Sequence, residues 1–140
     1  MCDLFEPKRL FTPAEARQTL PLVRQIVADL LNISLDIDFM KTVLGADAKD
    51  HPQILDRIAT MQELFTELES IGCFFKDWSF KIGLVDFPAI IDDKLVFLCW
   101  RSDESDLEFY HEIDAGFAGR KPIPQKYFDL PLDVQKINND

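Results

Sequence analysis

The chain has 140 residues, 47% of them hydrophobic, with 25 acidic side chains against 15 basic ones and a formal net charge of −10. That length suits one domain with its own core and leaves no room for two, and the 12 Phe, 2 Trp and 2 Tyr argue against disorder. The acidic balance excludes a nucleic-acid partner, whose phosphates need a basic footprint, and no apolar run is long enough to span a bilayer.

The three cysteines, Cys2, Cys73 and Cys99, are odd in number and scattered, which predicts reduced thiols in a cytoplasmic protein. The opening Met1-Cys2-Asp3-Leu4 has no charged or apolar region of the secretory kind. Residues 1–70 hold 7 basic and 12 acidic groups and residues 71–140 hold 8 and 13, so each half carries −5 and neither is a charged arm. Repeats and low-complexity tracts are absent from the sequence. The patterning changes near Gly72 instead. The expected organisation is a single domain with a helical half over 10–72, a β half over 73–124 and a tail over 125–140.

Thr12-Pro13-Ala14-Glu15 reads as a helix start, with Thr12 as cap, Pro13 in the first turn and Glu15 closing a capping box. Ala16, Leu20, Val23, Val27, Leu30 or Leu31, and Leu35 follow at three- and four-residue steps. Pro21 lacks a donor and clashes with the carbonyl four residues back, which predicts a kink or a restart. The pattern ends near Leu44, with Gly45 as its stop. A second helix is expected after Asp50-His51-Pro52, with Ile54, Ile58, Met61, Phe65 and Leu68 in a core-facing seam and Gly72 as terminator. The short connection predicts an antiparallel pair.

Past Gly72 the pattern alternates. Cys73 to Lys76 predicts a short strand, and Leu84–Ile91 and Lys94–Arg101 two longer ones joined by Asp92-Asp93 as a two-residue hairpin turn. Pro88 implies an unpaired edge beside it. A polar turn, Ser102 to Asp106, leads to a last strand over Leu107–Glu112, and Pro122 and Pro124 keep the tail extended. The sum is an α+β fold: an antiparallel helical hairpin packed on an antiparallel meander of three to four strands.

With Asp92-Asp93 as the turn, Ile91 pairs with Lys94 and Asp86 lies opposite Cys99, with Arg101 diagonal to Asp86 on one face. If Arg101 pairs with Leu107, then Phe109 and His111 join that face, and a one-residue slip would undo it. The other face carries Val85, Phe87, Ala89, Val96, Leu98, Trp100 and Tyr110. Both faces are apolar enough to need a cover. The helices cover one. The tail (Tyr127, Phe128, Leu130) or a second subunit covers the other, and a homodimer is the expectation.

Asp86, Arg101, His111, Glu112, Asp114 and Arg120 form the densest polar cluster of the β half. Read functionally, Arg101 and Arg120 hold an anion and His111 moves a proton. Read structurally, Asp86 and Arg101 are a buried pair with His111 at the core edge. Cys99 with His111 would begin a zinc site; no Cys-x-x-Cys pair or second nearby histidine completes it, and of Glu112 and Asp114, which would bring the ligands to four, alternation sends Glu112 the other way. Cys99, mid-strand between Leu98 and Trp100, suits a buried inert thiol better than a nucleophile. Gly116-Phe117-Ala118-Gly119-Arg120 has the glycine spacing of an anion cradle, but without a following helix it suits a tight turn equally. Neither a cofactor motif nor a complete metal-ligand set is present.

Phe11-Thr12-Pro13-Ala14-Glu15-Ala16 with Leu20-Pro21, Gly83-Leu84-Val85-Asp86-Phe87-Pro88-Ala89, Leu98-Cys99-Trp100-Arg101, and Tyr110-His111-Glu112 leading into Gly116-Phe117-Ala118-Gly119-Arg120 stand in order along the chain. Together, over about residues 10 to 124, they resemble the domain of unknown function family numbered 2203. Tyr110, where that pattern has Trp, and the longer tail after Pro124 depart from it. The resemblance implies a small cytoplasmic bacterial protein and brings no activity with it. It also implies that the family's signature falls on Asp86, Cys99, Arg101, His111 and Arg120. The functional expectation is a non-enzymatic binding or interaction module with a protein partner. The alternative is a small enzyme or ligand-binding protein holding an anionic metabolite through Asp86, Arg101, His111 and Arg120.

Overall fold

The computed structural model describes residues 7, 9–77 and 81–129. Helix α1 spans Pro13–Leu44, and its start follows from its first residues. Thr12 Oγ1 accepts from the Glu15 amide and Glu15 Oε1 accepts from the Thr12 amide, both at 3.0 Å. The helix runs through Pro21 without restarting. Because Pro21 is exposed, its ring and its missing donor disturb the solvent side and leave the packed side intact. Gly45 ends α1 at φ 57°. Helix α2 spans Pro52–Ile71 and ends at Gly72, whose φ of 105° is the left-handed cap the sequence calls for.

Five strands follow in a meander: β1 (Phe74–Phe75), β2 (Leu84–Ile91), β3 (Lys94–Arg101), β4 (Phe109–Glu112) and β5 (Lys121–Pro122), in sheet order 1-2-3-4-5 and all antiparallel. The α+β class is as expected, with one strand more than the upper count. The extra one, β5, is an edge strand, where Pro122 costs no ladder bond. A four-residue helix, α3 (Lys126–Asp129), completes the described chain.

Asp92 and Asp93 have φ of 52° and 65°, the paired left-handed geometry of a tight hairpin, and hold Ile91 opposite Lys94 and Asp86 opposite Cys99. Strand β4 starts at Phe109 instead of Leu107 because that stretch spends its backbone elsewhere. The Leu107 amide donates to Asp106 Oδ1 and its carbonyl accepts from Arg17 Nε. The register is nevertheless the expected one, with Cys99 opposite Phe109 and Phe97 opposite His111. At Pro88 the outer side of β2 is met, among the described residues, by Phe11, whose amide donates to the Pro88 carbonyl at 2.7 Å. A residue's N and O point to the same side of a strand, so the donor that Pro88 lacks faces this edge.

Ala16, Leu20, Val23, Val27 and Leu30 of α1 and Leu68 of α2 bury against Val85, Phe87, Ala89, Val96, Leu98 and Trp100. Each of these side chains is at most 3% exposed. Leu35, expected in this stripe, is 65% exposed, and Ile58 of the α2 seam is 38% exposed. The reason is length. A 32-residue helix rises about 48 Å, whereas an eight-residue strand covers about 27 Å, so the hairpin overruns the sheet. Its far end keeps only Ile37 and Ile54 buried.

Of the tail residues expected over the second sheet face, two lie on the other side. Tyr127 and Phe128 pack against the helix-side core, with the Arg17 guanidinium 3.5 Å from the Phe128 ring centre; Leu130 lies outside the described residues. Tail residues therefore reinforce the α1 side. Among the described residues, the loop around Phe117 and Phe74, whose ring meets Phe97 edge-on at 6.3 Å, lie on the second face, which carries Asp86, Cys99 and His111.

Candidate functional site

Three neighbouring strands build the floor of a concavity on that second face. Asp86 of β2 sits directly across from Cys99 of β3, and His111 of β4 lies one pair further along, across from Phe97. All three are buried, at 3%, 2% and 4% exposure. One ligand-capable atom from each, a carboxylate oxygen, Sγ and a ring nitrogen, lies within 4.8 Å of the other two. Ladder hydrogen bonds on both sides of β3 fix this convergence, so it does not depend on a mobile loop.

The proton on the imidazole can be placed. His111 Nδ1 is 2.7 Å from the Glu112 carbonyl oxygen, and a carbonyl only accepts, so Nδ1 carries hydrogen. Nε2 then faces both Asp86 oxygens, at 3.1 and 3.2 Å. Burial works against charge on His111, but the hydrogen bond to Asp86, followed by that to the Glu112 carbonyl, outweighs it and raises the pKa above 6.5. The Cys99 thiol is pushed up to about 12, by burial first and by the Asp86 charge next. Such a thiol is no free nucleophile.

Above this floor lies a partly open cavity of about 270 Å³. Leu84, Phe97, Ile113 and Phe117 form its apolar walls, and Lys76 is the one basic side chain among its described lining residues. Lys76 Nζ lies 5.3 Å from the Phe97 ring centre and 5.7 Å from that of Phe74, a cation held over two aromatic faces.

Arg101 and Arg120 stand outside this lining. Arg101 Nε donates to Asp103 Oδ1 at 2.6 Å, so the anticipated Asp86–Arg101 pair is not formed and His111 is the partner of Asp86. The register does put Arg101 on the Asp86 face, but a carboxylate two residues away in its own turn captures it first. Arg120 donates through both terminal nitrogens to Glu104, at 2.9 Å each, and lies 4.1 Å from the Phe117 ring centre. The two arginines thus brace Phe117, one wall of the cavity, through Glu104 and Asp103. Glu112 turns to the opposite face and pairs with Lys94 and Lys121, as alternation requires, and Asp114 is exposed. In the 116–120 loop the Gly119 and Arg120 amides donate to the Gly116 and Phe117 carbonyls. Those amides serve a tight turn and not an anion cradle, with Gly116 at φ 67° supplying the left-handed residue.

Lys76 and Glu104 contribute to the site without a sequence motif to announce them, and Phe117 stands inside the Gly116–Arg120 motif without being singled out by it. The pairing of β1 on β2 signals Lys76, since the Lys76 amide donates to the Leu84 carbonyl at 2.8 Å and carries the chain past the cavity mouth. Glu104 stands three residues beyond Arg101, where its carboxylate accepts from the Arg101 amide at 2.8 Å.

Comparison with known proteins adds a family and no activity. No curated protein and no solved structure matches the chain. The family described as Uncharacterized conserved protein (DUF2203) matches residues 9–123, a span that takes in α1, α2, all five strands and every residue of the cavity floor. The chain therefore belongs to the DUF2203 family.

Proposed function

We propose that this protein binds a small molecule in the cavity above Asp86, Cys99 and His111. One observation carries the reading: three buried chemistry-bearing side chains converge under an open concavity, where an ordinary sheet interior would be apolar. Its volume of about 270 Å³ is near the lower end of ligand pockets, which run from roughly 300 Å³, so a compact metabolite fits and a dinucleotide does not. Lys76 favours a carboxylate or other anion at the rim, Phe97 and Phe117 an apolar body, and the His111–Asp86 pair a polar end at which a proton can move. The anion-holding role expected of Arg101 and Arg120 passes to Lys76, because both arginines are engaged with carboxylates. Their part is to hold Phe117.

The test is a titration of uniformly ¹⁵N-labelled protein with a panel of small mono- and dicarboxylates, followed by NMR. Shifts confined to the cavity lining and to the His111 ring, and lost when Leu84→Trp fills the cavity, are the expected result. If the whole panel leaves these signals unmoved, the reading fails.

A second reading, the interaction module, rests on a different observation. Leu35, Phe39 and Val43 form a stripe on α1 at four-residue spacing, 65%, 70% and 65% exposed. Such a stripe is self-complementary when two copies of a helix meet across a twofold axis, which makes a homodimer its occupant. Sedimentation equilibrium of wild type and Phe39→Glu tests it: a dimer that the substitution dissociates supports it, and a monomeric wild type removes it.

A further inference from the structure

We infer that Asp86, Cys99 and His111 are three protein ligands of a divalent transition-metal site of the zinc type, with the remaining coordination position facing the cavity. The inference deepens the small-molecule reading and rests on it only for the occupant of that last position.

Thiolate, imidazole and carboxylate are the three donor types zinc takes, and three protein ligands with one open position is the arrangement of its reactive sites. The spacing is close to what such an ion needs. Donors around a tetrahedral zinc stand about 3.4–3.8 Å apart, from bond lengths near 2.0–2.3 Å; here the three atoms lie within 4.8 Å of one another, a gap that small side-chain rotations close. The imidazole is already in the tautomer required. Its Nδ1–H is committed to the Glu112 carbonyl at 2.7 Å, the outer contact that orients ligating histidines and leaves Nε2 as the nitrogen that ligates. Nε2 shares a hydrogen bond with the Asp86 carboxylate, 3.1–3.2 Å away, with the Cys99 sulfur beside both. A cation that takes all three donors replaces the contact by which the imidazole and the carboxylate now hold one another. On binding, the Cys99 sulfur and His111 Nε2 form bonds to the metal, and the thiol proton and the proton that Nε2 shares with Asp86 leave to solvent. Carboxylate and thiolate then balance the charge of a divalent ion, and Lys76 at the rim is placed to draw an anionic molecule toward the open position.

The experiment uses the full chain, stripped with chelator and titrated with Co²⁺. The visible absorption of tetrahedral Co²⁺ and a thiolate charge-transfer band should appear together, saturate at one equivalent and disappear on adding Zn²⁺. Cys99→Ser and His111→Gln should each weaken Co²⁺ binding beyond the roughly 10–100-fold that loss of an outer contact causes. Should those variants fail to fold by circular dichroism, the Cys2→Ser/Cys73→Ser double variant decides. It leaves Cys99 as the chain's one thiol, and the charge-transfer band must survive in it. Folded wild type showing neither band, or a charge-transfer band that persists in folded Cys99→Ser, overturns the inference. The two readings fail separately: carboxylate shifts in stripped protein without Co²⁺ bands leave a metal-free pocket, and Co²⁺ bands without carboxylate shifts leave a structural metal.

Discussion

Replacing Asp86 by Asn removes one charge from the cavity floor while keeping the size of the side chain, so it isolates the electrostatics of the Asp86–His111 contact. Both side chains are almost fully buried, at 4% and 5% exposure, and Nε2 meets both carboxylate oxygens at 3.1 and 3.2 Å. A hydrogen bond to a charged group contributes about 1.5–3 kcal/mol net. Little solvent reaches this one, so the upper part of that range applies when His111 is protonated. The sign of the pH dependence follows from the direction of the shift. The folded-state pKa of His111 is raised above 6.5: burial opposes the charge, and the hydrogen bonds to Asp86 and to the Glu112 carbonyl overcome it. A raised histidine contributes stability that is fully present below its unfolded pKa and is lost as pH rises through the folded value. The advantage of wild type over Asp86→Asn is therefore largest in mild acid and shrinks from 6.5 upward. Urea unfolding of chelator-treated wild type, Asp86→Asn, His111→Gln and the double variant, from about pH 5.5 to about pH 8.5, gives the coupling energy at each pH. A coupling that stays flat across this range, or grows toward the alkaline end, refutes the assignment of Nε2 and Asp86 as an acid-stabilised pair.

Three further outcomes are expected from the packing. Gly83→Ala places a Cβ 2.3 Å from Val27 Cγ1 and 3.1 Å from Ser102 Cβ, so the urea midpoint should fall by the equivalent of about 1–3 kcal/mol; an unchanged midpoint means α1 is not seated this closely on the sheet. Pro21→Ala restores a helix donor at an exposed position. The gain of about 3 kcal/mol in helix propensity exceeds the roughly 0.4–1 kcal/mol lost by freeing the unfolded chain, so thermal stability should rise, and a fall would show that the proline sets a bend the core needs. Glu104→Gln breaks the two-point contact with Arg120, whose side chain is 13% exposed, at a cost of about 1.5–3 kcal/mol. Amide exchange should then quicken over residues 116–120, and unchanged exchange there would detach Phe117 from the arginine brace.

Much of this molecule is local in origin. The Thr12–Glu15 capping box, the glycine stops at Gly45 and Gly72, and the Asp92-Asp93 turn are set by neighbours in the chain, because caps and tight turns are short-range geometry. The strand register follows from them, since a two-residue turn leaves one way to pair β2 with β3. That is why Asp86 opposite Cys99 was legible from the sequence, whereas His111 joined that face only on the condition that Arg101 pairs with Leu107. Periodicity also assigned most of the α1 stripe, while both sheet faces read as apolar and the side that the helices cover stayed open.

The tertiary structure decided whatever depends on competition between distant groups. Register brings Arg101 onto the Asp86 face, yet which carboxylate it bonds is settled by distance, and Asp103 is nearer. Leu35 follows the apolar period of the core, yet whether anything covers it depends on where the sheet ends beneath a longer helix. The partner of His111 and the concavity above it arise from the same cause. Pairing gives side chains a common face, and only the packed loops and edges around that face determine whether it is sealed, paired or open.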